Sequence, residues 1–106
     1  GVSGTIQNCM LGNGSVVDGA KVIDSILSAR VFVEEGAVVE SSILFDGVRV
    51  GAGARLRRCI IDKNVVIPAG TQIGLDSAAD TRRFHISDNG VVAVHKDAWA
   101  CPSSEQ

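Results

Sequence analysis

Large aliphatic side chains recur along this chain in steps of five or six residues. They stand at Val33, Val39, Leu44, Val50, Leu56, Ile61, Ile67 and Ile73. Two residues before each comes a smaller one: Val31, Ala37, Ser42, Val48, Ala54, Cys59, Val65 and Thr71. Residues two apart on a strand share a face, so each step offers one small and one large side chain to the same interior. Three steps make a period of 17, marked by Gly19, Gly36, Gly53 and Gly70 and by the column Val16, Val33, Val50 and Ile67. Units repeating at this length bury their apolar faces only by stacking on one another.

Three inward faces per repeat predict a triangular prism. The pattern is that of an all-β, parallel β-helix of hexapeptide repeats, with about four coils over residues 6–74. Upstream it continues at Leu27 with Ser25, at Val22 with Ala20 and, more loosely, at Leu11 with Cys9. A helical reading fails because no stripe recurs at three and four, and 12 glycines would weaken helices too much.

The repeat is lost over residues 75–83. Beyond it, Arg83 to Ser87, a turn at Asp88-Asn89-Gly90, and Val91 to Val94 predict a β-hairpin that caps the last coil. The expected organisation is therefore one domain: coils over 1–74, a loop and capping hairpin over 75–99, and a tail over 100–106. The chain opens inside repeat-like sequence, Thr5 to Leu11, with no capping element. It reads as a piece of a longer protein, since a bare terminal coil exposes unpaired backbone.

One apolar column does not fit the interior. Ile26, Ile43 and Ile60 adjoin Leu27, Leu44 and Ile61, and neighbours on a strand point to opposite sides. Placing Leu44 and Ile61 inside leaves an isoleucine ladder outside, a candidate docking stripe for another domain or subunit. The other reading is that the short, five-residue side tilts and half-buries both columns.

Composition narrows the function. A hydrophobic content of 45% with 15 valines and 9 isoleucines suits a β interior, and the net charge of −2 argues against nucleic-acid or anionic-membrane partners. No apolar run reaches membrane-spanning length and no signal peptide opens the chain. The cysteine count of 3 is odd, and Cys59 falls in a small inward column otherwise held by serine. It reads as a buried, reduced thiol, which implies a cytoplasmic setting. Charge is uneven: basic residues concentrate from Arg49 onward, at Arg49, Arg55, Arg57, Arg58, Lys63, Arg82, Arg83 and Lys96. Solvated surface is one reading of that run, and a local anion site is the other.

Catalytic groups are missing from the pattern. A hexapeptide acyltransferase needs a coil histidine aimed at its acyl donor, whereas His85 and His95 fall in the hairpin. A metal-dependent hydratase needs three coil histidines. The pairs Gly12 with Gly14 and Gly51 with Gly53 read as coil corners, and no metal-ligand spacing links the cysteines and histidines.

Three stretches carry a resemblance. Ser41-Ser42-Ile43-Leu44-Phe45-Asp46-Gly47-Val48-Arg49-Val50-Gly51 is one, and Leu56-Arg57-Arg58-Cys59-Ile60-Ile61-Asp62-Lys63-Asn64 is another. The third is Val66 to Gly74, continued by Arg83-Phe84 and Gly90 to Ala98. Together they resemble the C-terminal β-helix domain of glucose-1-phosphate adenylyltransferases, over roughly residues 1–99. The resemblance implies left-handed coils, although crossovers between parallel strands are ordinarily right-handed. It implies a parent enzyme that condenses ATP with glucose 1-phosphate, using Mg²⁺, to give ADP-glucose and pyrophosphate for glycogen or starch. ATP and Mg²⁺ belong to a preceding catalytic domain, so this chain is expected to need no cofactor and to be inactive alone.

By the same resemblance, this chain supplies regulation and assembly. Lys63 and Lys96 stand where the family carries basic residues that contact phosphorylated effectors; Arg82 or Arg83 is the alternative phosphate partner, and two solvated lysines are the plain reading. Lysine replaces the arginine found in many bacterial members, and it acts as a point charge rather than a fork. Implied partners are the chain's own catalytic domain, further copies in a tetrameric parent, and phosphorylated small molecules. The alternatives are a purely structural β-helix module and a hexapeptide acyltransferase subunit.

Overall fold

In a computed structural model, described for residues 4–75 and 84–95, the chain winds as stacked β coils. The first coil holds β1 (Thr5–Gln7), β2 (Met10–Leu11) and β3 (Val16–Val17); the second holds β4 (Lys21–Ile23), β5 (Ile26–Leu27) and β6 (Phe32–Val33). The third runs through β7 (Val38–Glu40), β8 (Ile43–Leu44) and β9 (Arg49–Val50). The fourth runs through β10 (Arg55–Arg57), β11 (Cys59–Ile61) and β12 (Val66–Ile67), and β13 (Gln72–Ile73) starts the next turn. Strands one coil apart pair in parallel, giving the sheets β1-β4-β7-β10-β13, β2-β5-β8-β11 and β3-β6-β9-β12. The result is a parallel β-helix of about four coils.

The interior is the pair of columns read from the sequence. Val33, Val39, Leu44, Val50, Leu56, Ile61, Ile67 and Ile73 are all buried, as are Val31, Ala37, Ser42, Val48, Ala54, Cys59 and Val65. Strands of two or three residues are too short to hold together alone, so this continuous apolar column is what binds one coil to the next.

The first coil departs from the 17-residue column. Val17, not Val16, aligns with Val33, and Ile6 aligns with Val22, each sixteen residues apart. The corner from Val17 to Val22 is one residue shorter than the matching corner from Val33 to Val39, which contains Glu35. Counting by 17 therefore selects Val16, which faces outward and is exposed. Val17 packs against the core in its place.

Sharp corners need left-handed backbone, and each edge of the prism has a column of it. Asn8, Asp24, Ser41 and Arg58 form one, with φ between 49° and 54°. Gly14, Arg30, Gly47 and Asn64 form the second, and Gly19, Gly36, Gly53 and Gly70 the third. Small or polar residues tolerate this region, which explains most of these positions.

Inside the first edge runs a polar ladder. Ser25 donates its hydroxyl proton to Ile23 O at 2.8 Å and accepts the Ser42 N–H at 3.2 Å. One coil on, Ser42 donates to Glu40 O at 2.7 Å and accepts the Cys59 N–H at 3.2 Å. Buried hydroxyls are tolerated because both of their roles are satisfied. Cys59, 1% exposed, is the thiol member of that column.

The hairpin forms from β14 (His85–Ile86) and β15 (Val92–Val94), which pair antiparallel. β15 then lies parallel on β11, with Cys59 opposite Val92 and Ile61 opposite Val94. Val92 and Val94 are buried, so β15 fills the rung that a further coil would occupy on this face. This placement puts His95 beside the corner that follows β11.

Candidate functional site

Lys63 stands at that corner, exposed to solvent, with its backbone N–H donating to Asp62 Oδ1 at 2.7 Å. The Asp62 N–H in turn donates to Val94 O at 2.9 Å, which ties the end of β15 to the same corner. Two adjoining shallow clefts open here. One, about 220 Å³, is lined by Phe45, Ile60, Asp62, Ala93, Val94 and His95. The other, about 290 Å³, is lined by Phe45, Asp46, Asp62 and Lys63.

Phe45 and Asp62 belong to both clefts, so the two form one site with a shared aromatic wall. Phe45 is 41% exposed, so its ring is open to a ligand on the solvent side of both clefts. Asp46 uses Oδ1 to accept the Ala29 N–H at 3.1 Å, which turns part of its charge toward the coils. The arrangement offers a flat apolar face, one ammonium, one imidazole and two carboxylates. It can receive a small ligand that carries both an apolar or planar part and a charged part. It holds no nucleophile with an adjacent base, and among the described residues no group of three or more His, Cys, Asp or Glu could hold a metal ion.

Of the basic run expected from sequence, Lys63 lies in the site. Lys96, Arg82 and Arg83 lie outside the described residues. Arg49 is engaged elsewhere, 2.9 Å from Glu34 and 4.9 Å from the Phe32 ring centre. Arg55 and Arg57 are exposed on β10, a different face. Sequence reasoning missed Phe45, Asp62 and His95 as lining residues. The available signal was Phe45 itself, a large apolar residue placed just after the inward Leu44 and so directed outward.

The isoleucine column faces outward. Met10, Ile26, Ile43, Ile60 and Ala93 stack in register along one face of the prism. Met10, Ile26 and Ile60 are exposed and Ile43 is half-buried, while Leu27, Leu44 and Ile61 are fully inside. No helix among the described residues is long and apolar enough to cross a membrane.

Stacked parallel coils with a hairpin paired onto β11 define a hexapeptide-repeat β-helix domain. The chain belongs to the GlmU-like, C-terminal hexapeptide family, whose profile matches residues 1–94. It is 57% identical over 94 residues to a glucose-1-phosphate adenylyltransferase of Corynebacterium efficiens, covering 89% of this chain and 23% of that protein. Identity is 60% over 94 residues with glucose-1-phosphate adenylyltransferase 2 of Vibrio vulnificus, at 89% and 23% coverage. A Photobacterium profundum glucose-1-phosphate adenylyltransferase is 40% identical over 93 residues, at 88% and 23% coverage. The chain thus spans about a quarter of the length of the curated relatives it matches.

Proposed function

We propose that this chain is the regulatory and assembly domain of a glucose-1-phosphate adenylyltransferase in the cytoplasm. The whole enzyme joins ATP and glucose 1-phosphate to give ADP-glucose and pyrophosphate, feeding glycogen or starch. In this reading, binding of ATP and Mg²⁺ falls to a catalytic domain outside this chain. What this chain contributes is an allosteric corner and contact surfaces.

The observation that carries the reading is the convergence at Lys63. A solvent-exposed ammonium borders the Phe45 cleft, and β15 delivers His95 to the same cleft, with Lys96 next in sequence. Two lysines on such a cleft would hold the phosphate of a sugar phosphate, a phosphoglycerate or an inhibitory nucleotide, each as a point charge. Arg82 and Arg83 are further partners for the same phosphate. In the full-length enzyme, Lys63→Ala and Lys96→Ala are each expected to raise the half-maximal activator concentration about tenfold, the size of one charge-assisted contact. The effect should shrink as ionic strength rises, because the site is open to water. Activation curves that neither substitution moves would place the effector elsewhere.

The same proposal assigns Ile26, Ile43 and Ile60 to self-association, as the contact between β-helix domains in a tetrameric enzyme. A stacked apolar stripe on a small domain favours burial against a second copy, and closed pairing is the commonest outcome. Ile43→Glu is expected to shift the sedimenting species toward monomer, because it places a charge in the middle of the stripe. An associating protein whose sedimentation is unchanged by that substitution would remove the ladder from the interface.

A further inference from the structure

Arg58 is an odd occupant of its corner. It has φ of 50°, in the same left-handed column as Asn8, Asp24 and Ser41. Those three are short polar residues suited to the region, and arginine is not. Coil stacking does not demand it either. Arg58 N–H donates to Glu40 O at 3.0 Å just as Ser41 N–H donates to Ile23 O and Asp24 N–H to Gln7 O.

What the arginine adds is directed at the hairpin. Its Nη2 donates to Asn89 O at 2.6 Å, in the turn between β14 and β15. Gly90, at φ 82°, sits against the guanidinium, close enough that a Cβ there would lie 3.8 Å from Nη1. The Arg58 carbonyl accepts the Val92 N–H at 3.0 Å. One residue therefore holds both the turn and the first residue of β15. At the far end of that strand, Val94 O accepts the Asp62 N–H and His95 lines the Phe45 cleft.

We infer that Arg58 is a positioning residue for the effector corner: by clamping the hairpin turn it sets where the His95 end of β15 lies against Lys63. The functional half of this inference rests on the effector reading proposed above; the clamp stands on its own geometry. A three-residue strand held at both ends moves as a unit, so release at the turn loosens the corner.

Cys59 reports the clamp. It is 1% exposed and lies opposite Val92, so an alkylating reagent reaches it when β15 lifts. The experiment uses the chain carrying Cys9→Ser and Cys101→Ser, with and without Arg58→Asn, and follows iodoacetamide labelling. Asparagine suits the left-handed corner, so the melting temperature is expected to hold or rise. Labelling of Cys59 is nevertheless expected to quicken about fivefold, because local opening loses one charge-assisted bond. Arg58→Lys keeps a donor and is expected to restore most of the protection.

In the full-length enzyme, Arg58→Asn is expected to raise the half-maximal concentration of fructose 1,6-bisphosphate, used as the sugar-phosphate probe, with basal turnover retained. Unchanged labelling in Arg58→Asn overturns the clamp. Faster labelling with an unmoved activation curve overturns the positioning role, provided that Lys63→Ala does move the curve. If Lys63→Ala leaves it unmoved as well, the effector reading falls and takes the positioning role with it, while the clamp is upheld by the labelling.

Discussion

Leu44→Ala is expected to lower the stability of this fold by about 3 kcal/mol, against about 1 kcal/mol or less for Ile43→Ala beside it. Leu44 is 0% exposed and stacks in register between Leu27 and Ile61, so truncation leaves a hole in the axial column. Ile43, half-buried on the outer face, loses only a solvent-facing contact. Coils touch only their neighbours, so a hole in the third coil weakens its stacking on both the second and the fourth. Urea denaturation of the two variants measures the difference. Equal losses would mean that the two columns are half-buried alike and that the inward assignment is wrong.

Gly51→Ala is expected to be more damaging, on the order of 4 kcal/mol, through a different mechanism. A Cβ on Gly51 would lie 2.5 Å from the Ala69 nitrogen and 2.8 Å from Ile67 O. Both are backbone atoms of the next coil, and the Gly51 N–H already donates to Ile67 O at 2.8 Å. No side chain can swing aside, so the coils must part at that corner. Gly53→Ala makes the control. Its Cβ would meet nothing within 4 Å, and its φ of 71° leaves only the left-handed penalty, about 1 kcal/mol. Thermal midpoints should rank the wild type first, Gly53→Ala next and Gly51→Ala last. Equal midpoints for the two variants would show that coil spacing yields at this corner.

Much of the fold was legible because a stacked repeat writes its inward positions at fixed intervals. Leu44, Val50 and Leu56 could be placed inside from spacing alone, and the small residues two before them followed. Val17 could not. A corner one residue shorter leaves the period of 17 intact in the glycine column while sliding the preceding strands by one, and valine at both 16 and 17 hides the slide. The polar ladder was half visible: Ser25, Ser42 and Cys59 showed as small inward residues, but their hydrogen bonds depend on the left-handed turn before each.

The candidate site was harder to read. Lys63 was legible through the string around it. Its neighbours were not, because His95 reaches the Phe45 cleft only by the pairing of Cys59 with Val92. That pairing skips the repeat and joins residues that no periodicity connects.

The hairpin also changes what the last rung on its face can pair with. Parallel coils add indefinitely in principle, since each exposed rung is a template running the same way as the next. Among the described residues on the face that carries β11, the outermost strand is β14, which runs against β15. A strand running with the coils would have to pair antiparallel there, in the alternating narrow and wide spacing of such pairs rather than the even spacing of the stacked rungs. A second copy laid end to end in the coil direction would therefore not meet, on this face, the evenly spaced parallel edge that each rung offers the next, and the stack's own repeat is interrupted there.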